Sequence, residues 1–268
     1  MLSGSFRISL TVFNTLAILF VLSPIIVVVI SSFGDTLYMR FPPQGFTFRW
    51  YTAALTDPAY WRGFQTSLYI GAISAVVATL VGAAASWALV RYAVIGRSLM
   101  ESALLLPLTL PHLILGIAVL TFTQPMGMGN SLNRLIIAHI VITIPYVLRI
   151  LVPVISELSA ELEEAGADLG ASPSSVFFTV TLPLLLPSIA VCAAVAFMVS
   201  FDELVLSLFL APPAQRTLPM QIFSNVEFGL DPSVGALSTL LLGATFILML
   251  IGQALSRARS VSLNPRVA

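Results

Sequence analysis

The chain has 268 residues and no net charge; 58% of its residues are hydrophobic and 9% charged, where a soluble domain carries about 25% charged residues. So few charges cannot cover so much apolar surface in water, which excludes an ordinary soluble protein and leaves the lipid bilayer as the solvent. All twelve basic residues are arginine and are balanced by twelve acidic ones, so there is no basic footprint for nucleic acid.

A helix needs about 20 apolar residues to cross the hydrocarbon core. The first stretch of that kind runs from about Leu10 to Ser32 and is uncharged from Ile8 to Gly34. It is too long for the apolar region of a signal peptide and no A-x-A cleavage site follows, so it reads as a retained span. The segment from about Phe33 to Gly63 carries Trp50, Tyr51, Tyr60 and Trp61, residues suited to a membrane–water interface. A second span is expected from about Thr66 to Val90, where Gly71, Ala75, Ala78, Gly82 and Ala85 allow close helix packing. A third runs from about Ala103 to Thr123 and holds His112 directly after Pro111. The fourth, about Leu135 to Ile155, contains His139 and is interrupted by Arg149. The fifth, about Pro183 to Leu210, contains Asp202 and Glu203, and the sixth runs from about Val234 to Leu255. Pro24, Pro107, Pro111, Pro145 and Pro187 fall inside these stretches and predict kinks that neighbouring helices must satisfy. Cys192, the single cysteine, reads as a small buried apolar residue.

Six spans place both termini on one side. With that side cytoplasmic, the inner segments hold Arg7, Arg91, Arg97, Arg149, Arg257, Arg259 and Arg266, against Arg40, Arg49, Arg62, Arg134 and Arg216 outside. The arginine excess points to an N-in, C-in topology.

The one long polar stretch on the cytoplasmic side is Glu157 to Pro183, ELSAELEEAGADLGASPSSVFFTVTLP. Leu158, Leu162, Ala165 and Leu169 share a helical face. Glu157, Glu161, Glu163 and Glu164 load the early turns with negative charge, favourable at a helix N-terminus. Gly170 is placed to end this helix in a left-handed cap, and Ser172-Pro173 reads as the N-cap and first residue of another helix. The expectation is two short helices joined at Gly170 and anchored to the fifth span through Leu182-Pro183.

Glu164-Ala165-Gly166, then Gly170, then Val180-Thr181-Leu182-Pro183 resembles the EAA loop of ABC-importer permeases, whose pattern is E-A-A, three residues, G, nine residues, I-x-L-P. Gly166 replaces the second alanine and Val180 the isoleucine, with the spacing intact. The resemblance covers most of the chain and points to the spermidine/putrescine-type permeases, supported by Pro145-Tyr146-Val147-Leu148-Arg149, Ser200-Phe201-Asp202-Glu203 and Arg216-Thr217-Leu218-Pro219. It implies a single all-α integral membrane permease domain over residues 1–268, of the type I importer fold, with a coupling loop at about 157–183. It also implies a bacterial cytoplasmic membrane location and three kinds of protein partner: a second permease, two nucleotide-binding ATPase subunits and an extracytoplasmic substrate-binding protein. The chain itself would be no enzyme and would bind no cofactor, ATP and Mg being held by the ATPase subunits. Glu164, Ala165, Gly166, Asp168, Gly170, Leu182 and Pro183 would serve coupling to the ATPase.

A carboxylate inside a span is costly and faces a bundle interior or a wet cavity. Asp202 first, then Glu203, are therefore candidates for a substrate pathway that attracts a cation; the other reading is an ion pair with Arg149 or a partner-subunit residue. His112 stands where polyamine permeases often carry an acidic residue, and reads either as a pathway residue or as a hydrogen-bonded interior histidine, with His139 structural. A polyamine-like solute fits the resemblance, the alternatives being an amino-acid derivative, an opine or a phosphonate. An intramembrane enzyme lacks its motifs here: there is no Walker A loop, H-E-x-x-H or G-x-S-x-G. A secondary transporter would not require the cytoplasmic loop.

Overall fold

A computed structural model describes residues 4–93, 95–129, 131–228 and 231–263, and the side chains of these except at 4–9, 228, 248–249 and 251–263. Arg266 of the expected inner set lies outside the described residues. The described chain is all helical and forms two compact units, Met1–Trp61 with Ile222–Ala268, and Arg62–Gln221.

In the first unit, α1 (Gly4–Ser31) packs on α12 (Pro232–Leu263), which also packs on α2 (Arg49–Thr56). The apolar window of α1 buries none of its residues within the chain, as a helix facing lipid or a partner would. The connection to α2 is an ordered turn system. Trp50 Nε1 donates to the Gly34 carbonyl at 2.9 Å, Arg49 pairs with Asp35 at 3.0 Å, and the Phe33 ring stacks on Phe46 and Tyr51. Tyr60 is buried, accepting from Asn225 Nδ2 at 2.7 Å with Ser233 Oγ at 3.3 Å, so its hydroxyl is satisfied.

The second unit is built on α3 (Pro58–Arg91, its body from Arg62), α6 (Leu132–Glu157) and α9 (Leu182–Phe201). α6 opens on Ser131, whose hydroxyl accepts from Asn133 N–H, and continues through Pro145 and Pro153. The small residues of α3 sit at the closest approaches. A Cβ at Gly82 would stand 2.7 Å from Val147, and one at Gly71 3.0 Å from the Phe197 ring. Behind them Ala75, Val147, Leu151, Ile155, Leu185, Cys192 and Ala196 form one core, and Ile70, Leu115, Leu135, Ile142, Leu206 and Leu210 another.

Two expected spans are broken. The third is α4 (Arg97–Leu105), a 3-10 turn (Leu106–Leu108) and α5 (His112–Thr123), bent by 107° at the join. Pro111, at φ −55° and ψ 131°, has no N–H to continue a helix, and a proline drives the preceding residue out of helical geometry. Pro111 therefore breaks the expected third span instead of kinking it. The fifth expected span ends its helix at Phe201; after Asp202–Leu204 a separate α10 (Val205–Leu210) follows. Upstream, α8 (Pro173–Val176) joins α9 through a π turn at Phe177–Thr181. Pro183 supplies no N–H for the Thr179 carbonyl, which fits this widening of the helix.

By length and apolarity α1, α3, α6 and Pro173–Phe201 can each cross a membrane, and the bent pair Arg97–Leu108 plus His112–Met126 makes a fifth crossing or a re-entrant loop. After α10 the chain forms α11 (Leu218–Phe228), and in α12 the apolar stretch Pro232–Ile247 is shorter than a full span.

Candidate coupling loop and intramembrane polar cluster

Between α6 and α9 the polar stretch folds as α7 (Glu161–Asp168), a bend, and α8. Ser159 Oγ accepts from Glu161 N–H at 3.2 Å, and Glu161, Glu163 and Glu164 lie in the first turn of α7. The helix ends in a Schellman motif: Ala171 N–H donates to the Gly166 carbonyl at 3.1 Å and Gly170 N–H to the Ala167 carbonyl at 2.8 Å, with Gly170 at φ +83°. Ser172 then caps α8, its Oγ accepting from Ser175 N–H at 3.3 Å. Each of these bonds is local, which is why the caps were readable in the sequence.

α7 has no buried residue, and Leu162 and Leu169 point outward, Leu169 with 89% of its surface exposed. Glu164, Ala165, Asp168 and Gly170 are exposed as well. Gly166 faces inward: a Cβ there would stand 2.9 Å from Val176 Cγ2. Val176 is buried and β-branched, so it yields poorly. This explains why glycine stands where the family pattern has a second alanine. Gly166→Ala gains up to about 1 kcal/mol of helix propensity but overpacks by about 1–3 kcal/mol. Thermal unfolding of the purified subunit is expected to show a net loss that Val176→Ala reverses; an unchanged Gly166→Ala protein would remove the steric account. Leu182 opens α9 and Pro183 follows it, so both belong to the anchor rather than to the exposed part of the loop.

The loop is held to α3 by contacts that the sequence did not signal. One Arg91 guanidinium nitrogen (NH2) donates to both the Leu158 carbonyl and Glu163 Oε1, each at 3.0 Å. The guanidinium lies 5.3 Å from the centroid of the Trp87 ring, and Trp87 meets Phe177 edge-on at 5.3 Å. In the sequence Arg91 counted only toward orientation, and Glu163 was one of four similar glutamates; their pairing spans 72 positions.

The breaks of the third and fifth spans carry a polar cluster. His112 begins α5, and its Nδ1 lies 2.9 Å from Glu203 Oε2. Glu203 is buried, and its other oxygen accepts the Leu206 N–H of α10 at 2.9 Å. Ser207 Oγ donates to the Glu203 carbonyl at 2.8 Å. Ser207 Oγ is also 3.4 Å from His139 Nε2, while His139 Nδ1 is 2.7 Å from Ser200 Oγ. With the Ser207 proton committed to that carbonyl, the consistent arrangement has Nε2–H donating to Ser207 and Ser200 donating to Nδ1. Thus Glu203 and His112 come together, whereas Asp202 and Arg149 are exposed. Arg134, expected in an outer segment, is buried and donates to the carbonyls of Gly129 and Leu210, the latter at the C-terminus of α10.

Residues 86–261 match the family described as the binding-protein-dependent transport system inner membrane component. The chain belongs to this family. It is 34% identical to the putrescine transport system permease PotI of Escherichia coli K12, over 85% of this chain and 83% of that protein. It is 29% identical to the spermidine/putrescine transport system permease PotC of the same strain, over 88% and 89%. It is also 31% identical, over 88% and 89%, to the putative 2-aminoethylphosphonate permease PhnV of Salmonella typhimurium LT2. Among solved structures, a chain of a bacterial ABC transporter that imports the acidic polysaccharide alginate superposes with a TM-score of 0.74 at 17% identity, covering 95% of this chain and 98% of that one. The fold is therefore that of a type I importer permease. The protein is a multi-pass inner membrane permease subunit of an ABC importer, and membership of this family implies ATPase and substrate-binding partners.

Proposed function

We propose that this permease moves a small polyamine-like cation inward, as one half of a heterodimeric pore served by two ATPase subunits and an extracytoplasmic binding protein. The observation that carries the mechanism is the loop from Glu157 to Pro183: a Schellman-capped helix with its leucines turned outward and a left-handed glycine in open space. An apolar helix face with nothing packed on it suits a groove on a partner. Leu162 and Leu169 would enter such a cleft on the ATPase, Glu164 and Asp168 would meet its charges, and Ala165 and Gly170, both exposed and small, would keep the approach close. ATP and Mg would be bound by the ATPase subunits, and closure of their dimer would push the loop and turn the pore outward. The arginine bias supports cytoplasmic N- and C-termini, which puts the loop on the ATPase side.

The polyamine assignment is supported by the relatives and by an exposed carboxylate, Asp202, at a break in a membrane helix. One observation favours a second reading. His112 Nδ1 stands 2.9 Å from Glu203 Oε2, so one of the two adjacent carboxylates already has an imidazole partner. A zwitterion such as an aminoalkylphosphonate would meet both signs there.

ATP-driven uptake by proteoliposomes holding the complete complex tests both. Labelled putrescine and spermidine are expected to accumulate, and to stop accumulating when the binding protein is omitted. Uptake of 2-aminoethylphosphonate with none of either polyamine would transfer the assignment to the second reading.

A further inference from the structure

The Arg91 contacts connect elements that the coupling mechanism treats separately. Arg91 is the last residue of α3, a helix long enough to cross the membrane. Its guanidinium holds the Leu158 carbonyl, where α6 ends, and Glu163, in the first turn of α7. Its face lies over Trp87, one turn earlier on α3, and Trp87 leans on Phe177, where α8 gives way to the π turn before α9. One side chain therefore meets the stem and first helix of the loop directly and reaches the second half through one ring. The pair is not a solvated surface contact: the Arg91 and Glu163 side chains are 17% and 27% exposed. Within α7 the neighbouring acids Glu161 and Glu164 are exposed, so Glu163 is the carboxylate of that turn committed inward.

We propose that Arg91 is a positioning residue for energy coupling, a strut that makes α7 and α3 move as one body, so that displacement of the loop reaches the membrane helix directly as well as through the chain at α6 and α9. A guanidinium suits the task because one terminal nitrogen can hold two acceptors while the delocalised cation lies over an aromatic ring; a lysine ammonium is a point charge with no such face. The proposal rests on the reading of the Glu157–Pro183 loop as the ATPase-facing element. Without the strut, α7 would remain docked on the ATPase but would turn about its connections to α6 and α8, so ATP would be spent with less solute moved.

The experiment uses the whole reconstituted complex and reads solute transported per ATP hydrolysed, with an Ala167→Cys cross-link to the ATPase subunit as an independent report of docking. Arg91→Ala and Glu163→Ala are each expected to lower the transport-to-hydrolysis ratio about fivefold, on the scale of one partly buried charged contact, with no further drop in the double variant. Glu163→Gln, which keeps an acceptor oxygen, is expected to recover most of the ratio. The cross-link is expected to persist in all of them. Unchanged ratios in the single variants, additive losses in the double variant, or loss of the cross-link along with transport would overturn the strut. Failure of Ala167→Cys to cross-link in the otherwise unaltered complex would instead bring down the loop reading on which it stands.

Discussion

Gly170→Asn is expected to leave the subunit folded and in the membrane while cutting ATP-driven uptake about tenfold, equivalent to about 1.4 kcal/mol. Two jobs are open to this glycine. The first is the bend. At φ +83° an ordinary L residue is strained by about 1–2 kcal/mol, and asparagine is the side chain that tolerates this conformation best. The second is approach. A Cβ at Gly170 meets nothing within 4 Å, so the described residues of the chain do not fill that space. If the bend were the whole role, asparagine would work and valine would not. If an ATPase surface fills the space, both fail, and asparagine fails without unfolding the loop. Membrane abundance and uptake measured together for Gly170→Asn, Gly170→Val and Gly170→Asp distinguish the cases. Near-normal uptake by the asparagine variant would confine the residue to the bend. Normal uptake by the aspartate variant would take the loop out of the mechanism.

The same loop shows what made part of this protein legible. Its caps depend on residues within five positions of one another, so Ser172-Pro173, Gly170 and the early glutamates signal their roles without knowledge of the fold. Helix-forming apolar stretches are equally local, and α1, α3 and α6 fall close to where hydropathy puts them. The broken helices were half legible. Pro111 is visible, but whether a proline kinks or ends a helix depends on what satisfies the freed backbone, and at Asp202–Leu204 there is no proline to see. The pairings were not legible. Arg149, the cation that sequence proximity to the bilayer offers Glu203, is exposed on α6, and the partner found is His112, which α5 brings in across a break. Arg134 counted as an outer-loop charge and is buried at the end of α10. Periodicity assigns a residue to a face of its own helix. It does not say which residue of a distant helix stands opposite.

The two adjacent carboxylates are expected to separate into different roles under mutation. Both oxygens of Glu203 are engaged, one by His112 Nδ1 and one by the Leu206 N–H that opens α10. Glu203→Ala leaves that buried N–H without its acceptor, at a cost of about 1–3 kcal/mol, and frees the imidazole that tied the start of α5 to it. The loss falls on folding: less subunit in the membrane and a lower unfolding temperature in detergent. Glu203→Gln can still accept from Leu206 N–H, so it is expected to retain more of both. Asp202 is exposed, and packing does not depend on it in the same way. Asp202→Asn is therefore expected to keep subunit abundance and unfolding temperature near the parent values while weakening uptake of a cationic solute several-fold. Abundance, unfolding temperature and uptake are measured on the same preparations. Parallel loss of all three in Asp202→Asn would make it a structural residue as well, and would remove the exposed carboxylate as a reason to expect a cation. If Asp202→Asn leaves polyamine uptake intact while His112→Ala abolishes uptake of 2-aminoethylphosphonate, the cluster recognises the anionic end of a zwitterion and the imidazole is the group that selects it.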